Sequence, residues 1–517
     1  MEILLFLVVL FAVLFAAQVI LYSIPPGPTK RQEKRLFSLI FQMIDKRKDQ
    51  GEIDIPCYLA MEILDRNDRF TKSEDSGGHP AYLLTYDNLT FRITLLMAGC
   101  STLVRIGSGT APLPDKDSEG KIDAAFSAIK AGDIQQVQQL FASGLSVNAR
   151  HSSEGSCPLH MAAICGRLDI MKWLLDHGAD INARDFTGYT PLLSCLWMAA
   201  QQALHSNPDA GLPPERQSII AKMPPLQDIR AAILFLIQNG ADGNVAGDRG
   251  LLAIHWAVLM QDEEIIWALL RSDGVSPSAV PRAFETPPMA RARDIDGNTP
   301  LILAAGIGNT AAIELLRHNG AIIDEANNVS QTALIAAALN KKAGAAELLL
   351  RLGADISCKT QEGLTALHLA AHNDDADTLA ILIQHHAELD AKDNEGWSAL
   401  MLAARDGREN ALRMLCESGA DTESALPSGQ TPLQAAAANN HPGCVSILLR
   451  CGANIDHQDS TGATALSWAA RNGHFAIVKA LCEAGAQTDL AANGLTPEHL
   501  AQVKGHMDIA EYLASRA

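Results

Sequence analysis

The chain has 517 residues, a formal net charge of -18 and ten cysteines. An acidic surface repels nucleic acid and anionic lipid, which argues against either as the main ligand. The cysteines form no C-x-x-C pair and no other metal-ligand spacing, which favours free thiols in a reducing compartment over a disulfide framework or a metal site.

Residues 3–24 are almost entirely apolar, with Gln18 and Ser23 as polar exceptions beside one tyrosine. A helix of this length spans a hydrocarbon core of about 30 Å at about 1.5 Å per residue. The stretch therefore predicts a transmembrane anchor. The alternative is a cleaved secretory signal, but no Lys or Arg precedes the apolar run and no clear small-x-small cleavage site follows it.

Basic residues set the expected orientation of this anchor. None precedes it, whereas Lys and Arg are concentrated at positions 30–35. The positive-inside rule then places the C-terminal side of the anchor in the cytoplasm, in agreement with free thiols. Acceptor patterns for N-glycosylation at Asn88 and Asn328 would suit export, although so short a pattern is often accidental. The expected localisation is a single-pass membrane protein with a cytoplasmic C-terminal part.

Residues 31–117 form a juxtamembrane region and linker. The segment from Arg35 could form a helix on the bilayer surface or within a small domain, and Pro56–Leu64 could begin another helix. Tyr82–Leu96 mixes β-branched and aromatic residues in a way that fits helix and strand alike. Gly107–Gly120 has the composition of a linker. No catalytic motif is found in this region.

A seven-residue phrase, TALHLAA at Thr365–Ala371, recurs along most of the remaining chain. Its Thr can cap a helix, Pro at the next position has its φ already set for the first turn, and paired alanines let two antiparallel helices approach closely. A Gly after the second helix supplies the left-handed residue that ends it. Matching phrases begin at Cys157, Thr190, Thr299, Thr332, Ser398, Thr431, Thr464 and Thr496, and those from 299 to 464 follow one another every 33 residues.

This period and this phrase resemble those of the ankyrin-repeat family over residues 118–517, with about eleven repeats. The resemblance implies an all-α repeat solenoid in which helix pairs and hairpin loops stack on their neighbours. Lys121–Arg150 is then predicted to be an atypical first repeat that caps the N-terminal end of the array. Counted from this cap, the TALHLAA phrase belongs to the seventh repeat. Insertions near 194–230 and 275–292 interrupt the regular spacing of the repeats. We hypothesise that the first, around Leu204–Pro225, contributes to the choice of partner.

No residue of the repeats carries a catalytic signature. Histidine at the fourth position of the phrase forms hydrogen bonds between neighbouring loops in the family, and tryptophan at the fifth position replaces a core Leu. No nucleophile elbow, phosphate loop or metal-binding pattern appears, so the sequence predicts no catalytic residue, no cofactor, no metal and no enzymatic activity. The fourth-position histidines are His160, His255, His368 and His499, and the fifth-position tryptophans are Trp256 and Trp468.

The resemblance also implies a concave binding groove, formed by hairpin tips and the residues after the paired alanines. Tyr189 and Trp397 stand just before the phrase, and an exposed aromatic side chain there would be a hot spot for binding. Matching the family's contact positions one by one gives these protein-binding candidates: Phe186, Tyr189, Gln361, Glu362, Leu364, Asn394, Glu395, Trp397, Arg405, Gln430, Ser460, Thr461 and Arg471.

We therefore expect a membrane-anchored scaffold that binds one or more proteins through this groove. Its other contact would be the lipid bilayer, through residues 3–24, and not nucleic acid. One alternative is an accessory subunit or regulator of a membrane enzyme or transporter. A second is an exported ankyrin protein whose N-terminal segment is a signal.

Overall fold

A computed structural model describes the chain in these ranges: 50–53, 70–74, 80–86, 89–98, 101–108, 116–151, 155–185, 188–205, 223–247, 250–272 and 289–516. The expected anchor at 3–24, the segment from Arg35 and Pro56–Leu64 lie outside them. Within these ranges, no helix has both the length and the apolar character that a membrane span requires. The anchor stays a prediction.

Residues 50–108 contribute five strands to one antiparallel sheet with the order β1-β5-β4-β3-β2. In the longest ladder, β4 pairs with β5 from Phe91 opposite Ser108 to Ala98 opposite Ser101. The all-α prediction concerned residues 118–517, whereas this earlier part of the chain forms strands, to which Tyr82–Leu96 contributes. Its β-branched and aromatic residues favour strand once a pairing partner exists, which a local pattern cannot show. The strands are β1 Gln50–Ile53, β2 Phe70–Glu74, β3 Pro80–Tyr86, β4 Leu89–Ala98 and β5 Ser101–Ser108.

The linker expected at Gly107–Gly120 is shorter than its composition suggested. Strand β5 continues to Ser108, and the first helix, Lys116–Ala131, includes Gly120. A glycine inside a helix costs about 0.5–1 kcal/mol relative to alanine. Burial of Phe126 and Ile129 on the same helix offsets this cost.

From residue 116 onward, the described chain forms 22 α-helices that follow one another in pairs. The all-helical repeat architecture is thereby confirmed for this part, while the exact number of repeats stays a prediction. A short 3-10 helix at Met289–Arg291 precedes α9. The first-helix and second-helix bounds are α1 Lys116–Ala131 and α2 Ile134–Ala142, α3 Pro158–Ile164 and α4 Leu168–Asp176, α5 Pro191–His205 and α6 Leu226–Gln238, α7 Ala253–Met260 and α8 Glu263–Ser272, α9 Pro300–Ile307 and α10 Thr310–His318, α11 Ala333–Leu339 and α12 Ala343–Arg351, α13 Ala366–His372 and α14 Ala376–Gln384, α15 Ala399–Arg405 and α16 Glu409–Glu417, α17 Pro432–Ala438 and α18 Pro442–Arg450, α19 Ala465–Asn472 and α20 Phe475–Glu483, and α21 Pro497–Lys504 and α22 Met507–Ala514.

The chain divides into two compact units. The first comprises residues 1–300 and 318–321, and the second comprises 301–317 and 322–517. In the first unit, α5 packs against α3 and α7; in the second, α13, α15, α17, α19 and α21 pack in succession. Within each unit, neighbouring first helices therefore form the core expected of stacked repeats.

The repeated phrase forms a helix start because its first residue caps the helix. The Ser398 hydroxyl oxygen accepts the Met401 N–H at 3.3 Å, and Thr332 accepts the Ile335 N–H in the same way. Losing such a cap costs about 1 kcal/mol. The paired alanines that follow are fully buried, as at Ala370, so a larger side chain there would separate the packed helices.

Helix α5 of the third repeat is longer than the first helices of the later repeats and ends at His205, within the first insertion. The Gln202 side-chain amide donates a hydrogen bond to the Pro224 carbonyl at 2.8 Å, which joins the two sides of the insertion just before α6. Residues 206–222 of the first insertion lie outside the described ranges, and so do residues 273–288, which include most of the second insertion near 275–292. The proposed role of the first insertion in partner choice therefore stays a hypothesis.

Candidate protein-binding surface

Hairpins precede the first helices of the second unit, and backbone hydrogen bonds join them edge to edge. The Asn394 N–H donates to the Glu362 carbonyl at 3.0 Å, and the Ser460 N–H donates to the Ser428 carbonyl at 2.9 Å. The Asn394 side-chain amide adds a bond to the Gln361 carbonyl at 2.7 Å. The tips themselves are exposed. The relative positions of the tips are therefore already fixed, an arrangement that lowers the entropic cost of binding in general.

We call the hairpin tips of the second unit and the last turns of its first helices the groove face. All the binding candidates of this unit lie on it, whereas Tyr189 lies in the first unit and Phe186 lies outside the described residues. Seven of the candidates are exposed: Gln361, Glu362, Asn394, Glu395, Ser460, Thr461 and Arg471. Five are half-buried: Tyr189, Leu364, Trp397, Arg405 and Gln430.

Trp397 is less exposed than its position suggested, because Arg405 covers its ring. The Arg405 guanidinium carbon lies 4.9 Å from the ring centroid. Trp397 stands just before the cap residue Ser398, and Arg405 ends the same first helix, so this contact joins residues from the two ends of α15. A stacked guanidinium of this kind contributes about 0.5–1 kcal/mol at an exposed site. The two side chains therefore form one ordered feature of the groove face.

Arg405 also binds the carboxylate of its neighbour Asp406. Its Nε–H and Nη2–H donate to the two oxygens at 2.8 and 3.1 Å, and the His372 Nδ1–H donates to one of them at 2.7 Å. Burial alone would raise the pKa of Asp406, but these hydrogen bonds lower it to about 2. The carboxylate is thus charged at physiological pH and is fully engaged inside the chain.

Trp468 was expected in the core, and this prediction is wrong. Trp468 is half-buried, its indole N–H donates to Asp459 Oδ2 at 2.9 Å, and the Arg471 guanidinium carbon lies 5.3 Å from its ring centroid. The polar acceptor on the preceding hairpin draws the indole towards the groove face. Burial would raise the pKa of Asp459, but hydrogen bonds from Thr461 and Trp468 lower it.

Trp256, at the same position of the fourth repeat, is buried as expected, with 5% of its surface exposed. Its indole N–H has no hydrogen-bond acceptor among the described residues. Counting along the repeats places Gly247 in register with Asp459, so the fourth repeat lacks the carboxylate that serves Trp468. The Tyr189 ring packs over Gly247. Tyr189 is therefore part of a local packing arrangement.

Three of the fourth-position histidines, His160, His255 and His368, link neighbouring hairpins. His368 Nδ1 accepts the Thr365 N–H at 3.2 Å, and its Nε2–H donates to the Trp397 carbonyl at 3.0 Å. His160 makes the matching bond to the Tyr189 carbonyl at 3.0 Å. Burial lowers the pKa of His368, so the ring stays neutral and keeps one donor and one acceptor nitrogen.

Two lysines that the sequence analysis did not single out also join hairpins. Lys359 Nζ donates to the Lys392 carbonyl at 2.9 Å, and Lys392 Nζ donates to the Ala425 carbonyl at 3.0 Å. The three residues occupy the same register position in successive repeats, so the 33-residue spacing was the available signal. Each of these ammonium groups thus helps to join neighbouring hairpins.

The described part of the chain holds no group of three or more His, Cys, Asp or Glu side chains arranged to bind a metal ion. All cysteines within it are free thiols. At Cys157, which replaces the usual Thr of the phrase, Sγ lies 3.0 Å from His160 Nδ1. Burial would raise the pKa of this thiol, but His160 lowers it. With 1% of its surface exposed, Cys157 acts as a helix cap in this structure.

A family model described as ankyrin repeats (three copies) matches residues 111–205, 286–360, 340–425 and 433–517, which together make up more than half of the chain. The chain belongs to the ankyrin-repeat family. Ankyrin repeats typically mediate interactions between proteins, through the extended surfaces that stacked repeats create.

Among curated proteins, the chain is similar to Neurogenic locus notch homolog protein 2 of Homo sapiens, with 30% identity over 183 residues that cover 34% of this chain and 7% of that protein. It is similar to Rabankyrin-5 of Homo sapiens, with 26% identity over 223 residues that cover 42% of this chain and 18% of that protein. This chain thus spans a small part of these relatives.

Among solved structures, the chain is similar to the ankyrin repeat domain of Bcl-3, described as a unique member of the IkappaB protein family. The identity is 31%, the match covers 42% of this chain and 99% of that one, and the TM-score is 0.39.

Proposed function

We propose that this chain is a membrane-anchored ankyrin scaffold that binds a protein partner through the groove face of its second unit. The observation that carries the proposal is the row of hairpin tips, joined by backbone bonds such as that from Asn394 to Glu362. Exposed polar side chains held on a rigid frame suit recognition of another protein. The proposal assigns no catalytic role and no cofactor to the chain.

Steric blocking of the groove face tests this proposal. Ser428 and Ser460 are exposed at two hairpin tips, and Ser446 is exposed on the second helix α18. The double variant Ser428→Trp with Ser460→Trp should reduce the amount of partner that co-purifies with the full chain from solubilised membranes. Ser446→Trp is the matched control and should leave that amount unchanged. Equal recovery with all three chains would contradict binding through the groove face.

The anchor is supported by the apolar sequence at 3–24 and by the basic residues at 30–35 that follow it. Holding a scaffold at the bilayer raises the effective concentration of its partner, so a modest affinity suffices. Deleting residues 3–24 should move the chain from the alkali-resistant membrane pellet to the supernatant. An unchanged pellet fraction would contradict the anchor. A mature chain beginning after Ala17 would identify the segment as a signal instead.

A further inference from the structure

Two cysteines stand at the C-terminal ends of adjacent second helices, in the eighth and ninth repeats. Cys416 lies in the last turn of α16, and Cys451 is the C-cap residue that ends α18. These two helices pack against each other. Neither cysteine belongs to the groove face, so what the pair does is independent of the proposed protein-binding surface.

A contact two repeats earlier shows where a side chain at the position of Cys451 points. His385 precedes Cys451 by two repeat periods and is likewise the C-cap residue of its second helix, α14. Its Nε2 lies 3.3 Å from Oε2 of Glu347, on the second helix of the preceding repeat, α12. A C-cap side chain at this register therefore reaches back to the preceding second helix. For Cys451, that helix is α16, which carries Cys416.

The two thiols interact with each other but differ in how accessible they are. Burial raises the pKa of the Cys416 thiol, and hydrogen bonding with the Cys451 thiol raises it further. Cys416 is half-buried, whereas Cys451 is exposed. Because thiolates and not thiols attack disulfides, Cys416 is a poor nucleophile towards reagents in solution. A small oxidant therefore meets Cys451 first.

A third cysteine lies close to this pair and does not compete with it. Cys444, near the start of α18, has none of its surface exposed, and burial raises the pKa of its thiol. The cysteines do not form a metal site either, since the described ranges contain no cluster of His, Cys, Asp or Glu suited to a metal ion. The arrangement is thus one accessible thiol with a second, less accessible thiol beside it, which is typical of redox-sensitive cysteine pairs.

We propose that Cys451 and Cys416 form a thiol–disulfide exchange site, which takes a small disulfide such as oxidised glutathione and converts it into a covalent bond between the eighth and ninth repeats. The Cys451 thiolate attacks one sulfur of the oxidant, whose S–S bond breaks, and the first glutathione leaves as a thiolate that takes up a proton. Cys416 then loses its proton to solvent, attacks the Cys451 sulfur and displaces the second glutathione. Two thiols are oxidised, and the two electrons reduce one glutathione disulfide to two glutathione thiols.

The new bond joins α16 to α18 and closes a loop that is about one repeat long. The stability of stacked repeats depends on the interfaces between neighbours, and a cross-link of this kind restrains the unfolded chain. The oxidised chain should therefore have a urea midpoint about 1 M higher than that of the reduced chain, and a reducing agent should reverse the shift.

The test treats the full chain in detergent with oxidised glutathione, alkylates the remaining thiols and maps tryptic peptides by mass spectrometry without reduction. The expected product is a peptide pair that is joined through Cys416 and Cys451 and separates on reduction. Fragment ions distinguish Cys416 from Cys444, which lies in the same tryptic peptide. Cys416→Ser should instead retain one glutathione on Cys451, and Cys451→Ser should leave Cys416 free for alkylation.

Cys482→Ser is the matched control. Cys482 occupies the register of Cys416 in the tenth repeat, but the C-cap residue of the next second helix is Ser515. The Cys482→Ser chain should form the same joined peptide pair as the unaltered chain.

Three results would overturn the proposal. The first is a glutathione that stays on Cys451 of the unaltered chain while Cys416 is alkylated, and the second is a bond from Cys451 to Cys444. The third is a urea midpoint that is the same for the oxidised and reduced chains. The unaltered chain alone decides all three, so the test holds even if a serine variant fails to fold.

Discussion

The indole N–H of Trp256 is buried without an acceptor, and this allows a test of how much an acceptor on the preceding hairpin contributes to stability. Trp468 donates its indole N–H to Asp459 at 2.9 Å, whereas Trp256 has Gly247 at the matching place and no acceptor within the described residues. A buried donor without a partner costs about 1–3 kcal/mol. Gly247 does not have a positive φ, so a side chain is sterically possible at this position.

Gly247→Asp should therefore raise the free energy of unfolding of the first unit by about 1–2 kcal/mol. A new hydrogen bond contributes about 0.5–1.5 kcal/mol, and loss of glycine's freedom in the unfolded chain adds about 0.4–1 kcal/mol. Close packing of the new Cβ against Tyr189, at 3.4 Å, offsets part of this gain. Urea unfolding measures the change, with hydrogen exchange of residues 250–272 reporting on the first unit alone.

Gly247→Ala is the matched control, because it adds the same Cβ without an acceptor. The difference between the Asp and Ala variants isolates the contribution of the carboxylate. The reverse change in the tenth repeat, Asp459→Gly, should destabilise the second unit, since it removes the acceptor of Trp468 and of the Thr461 and Ala463 N–H groups. Equal stability of the two Gly247 variants would refute the reasoning.

Two further predictions concern single side chains. Burial lowers the pKa of His255 to about 4. Between about pH 6.5 and pH 4, the histidine is therefore protonated in the unfolded chain but not in the folded one. The free energy of unfolding should fall by up to roughly 3 kcal/mol as the pH is lowered through that window. His255→Gln should remove this pH dependence, measured by urea unfolding at several pH values. Gln suits the position because Gln434 occupies it in the ninth repeat and donates the equivalent bond to the Ala463 carbonyl at 2.7 Å. An unchanged dependence of the free energy of unfolding on pH would contradict this prediction. Trp397→Ala should weaken partner recovery while costing less than about 1 kcal/mol, the strength of an exposed stacked pair. A loss of several kcal/mol in thermal unfolding would show instead that Trp397 is a packing residue.

Most of the repeat architecture could be predicted because residues close together in the sequence determine the structure of each repeat. The Thr cap, the buried alanines and the histidine bridge all lie within or beside one seven-residue phrase, as at Thr365 and His368. The 33-residue register then places equivalent residues next to one another. That register also explains why hairpin tips such as Asn394 were identified as exposed candidates before their contacts were known.

The contacts between different elements were harder to predict. Trp468 lies on the groove face because of Asp459, nine positions earlier on another element, while Trp256 stays buried where that carboxylate is missing. His372 from the preceding repeat shares the Asp406 carboxylate with Arg405. The seven-residue phrase alone does not reveal such partners. The strands at 50–108 were missed for the same reason, since strand pairing is not a local property.

The central claim, that the groove face of the second unit meets the partner, is tested most directly by site-specific photo-cross-linking of the full chain in intact membranes. A photoreactive residue is placed at Glu395 or Ser460, which are exposed on the groove face, and at Glu417 or Ser446, which are exposed on second helices. The account predicts a discrete cross-linked product from the first two positions and none from the other two. Products formed only at Glu417 or Ser446 would contradict it.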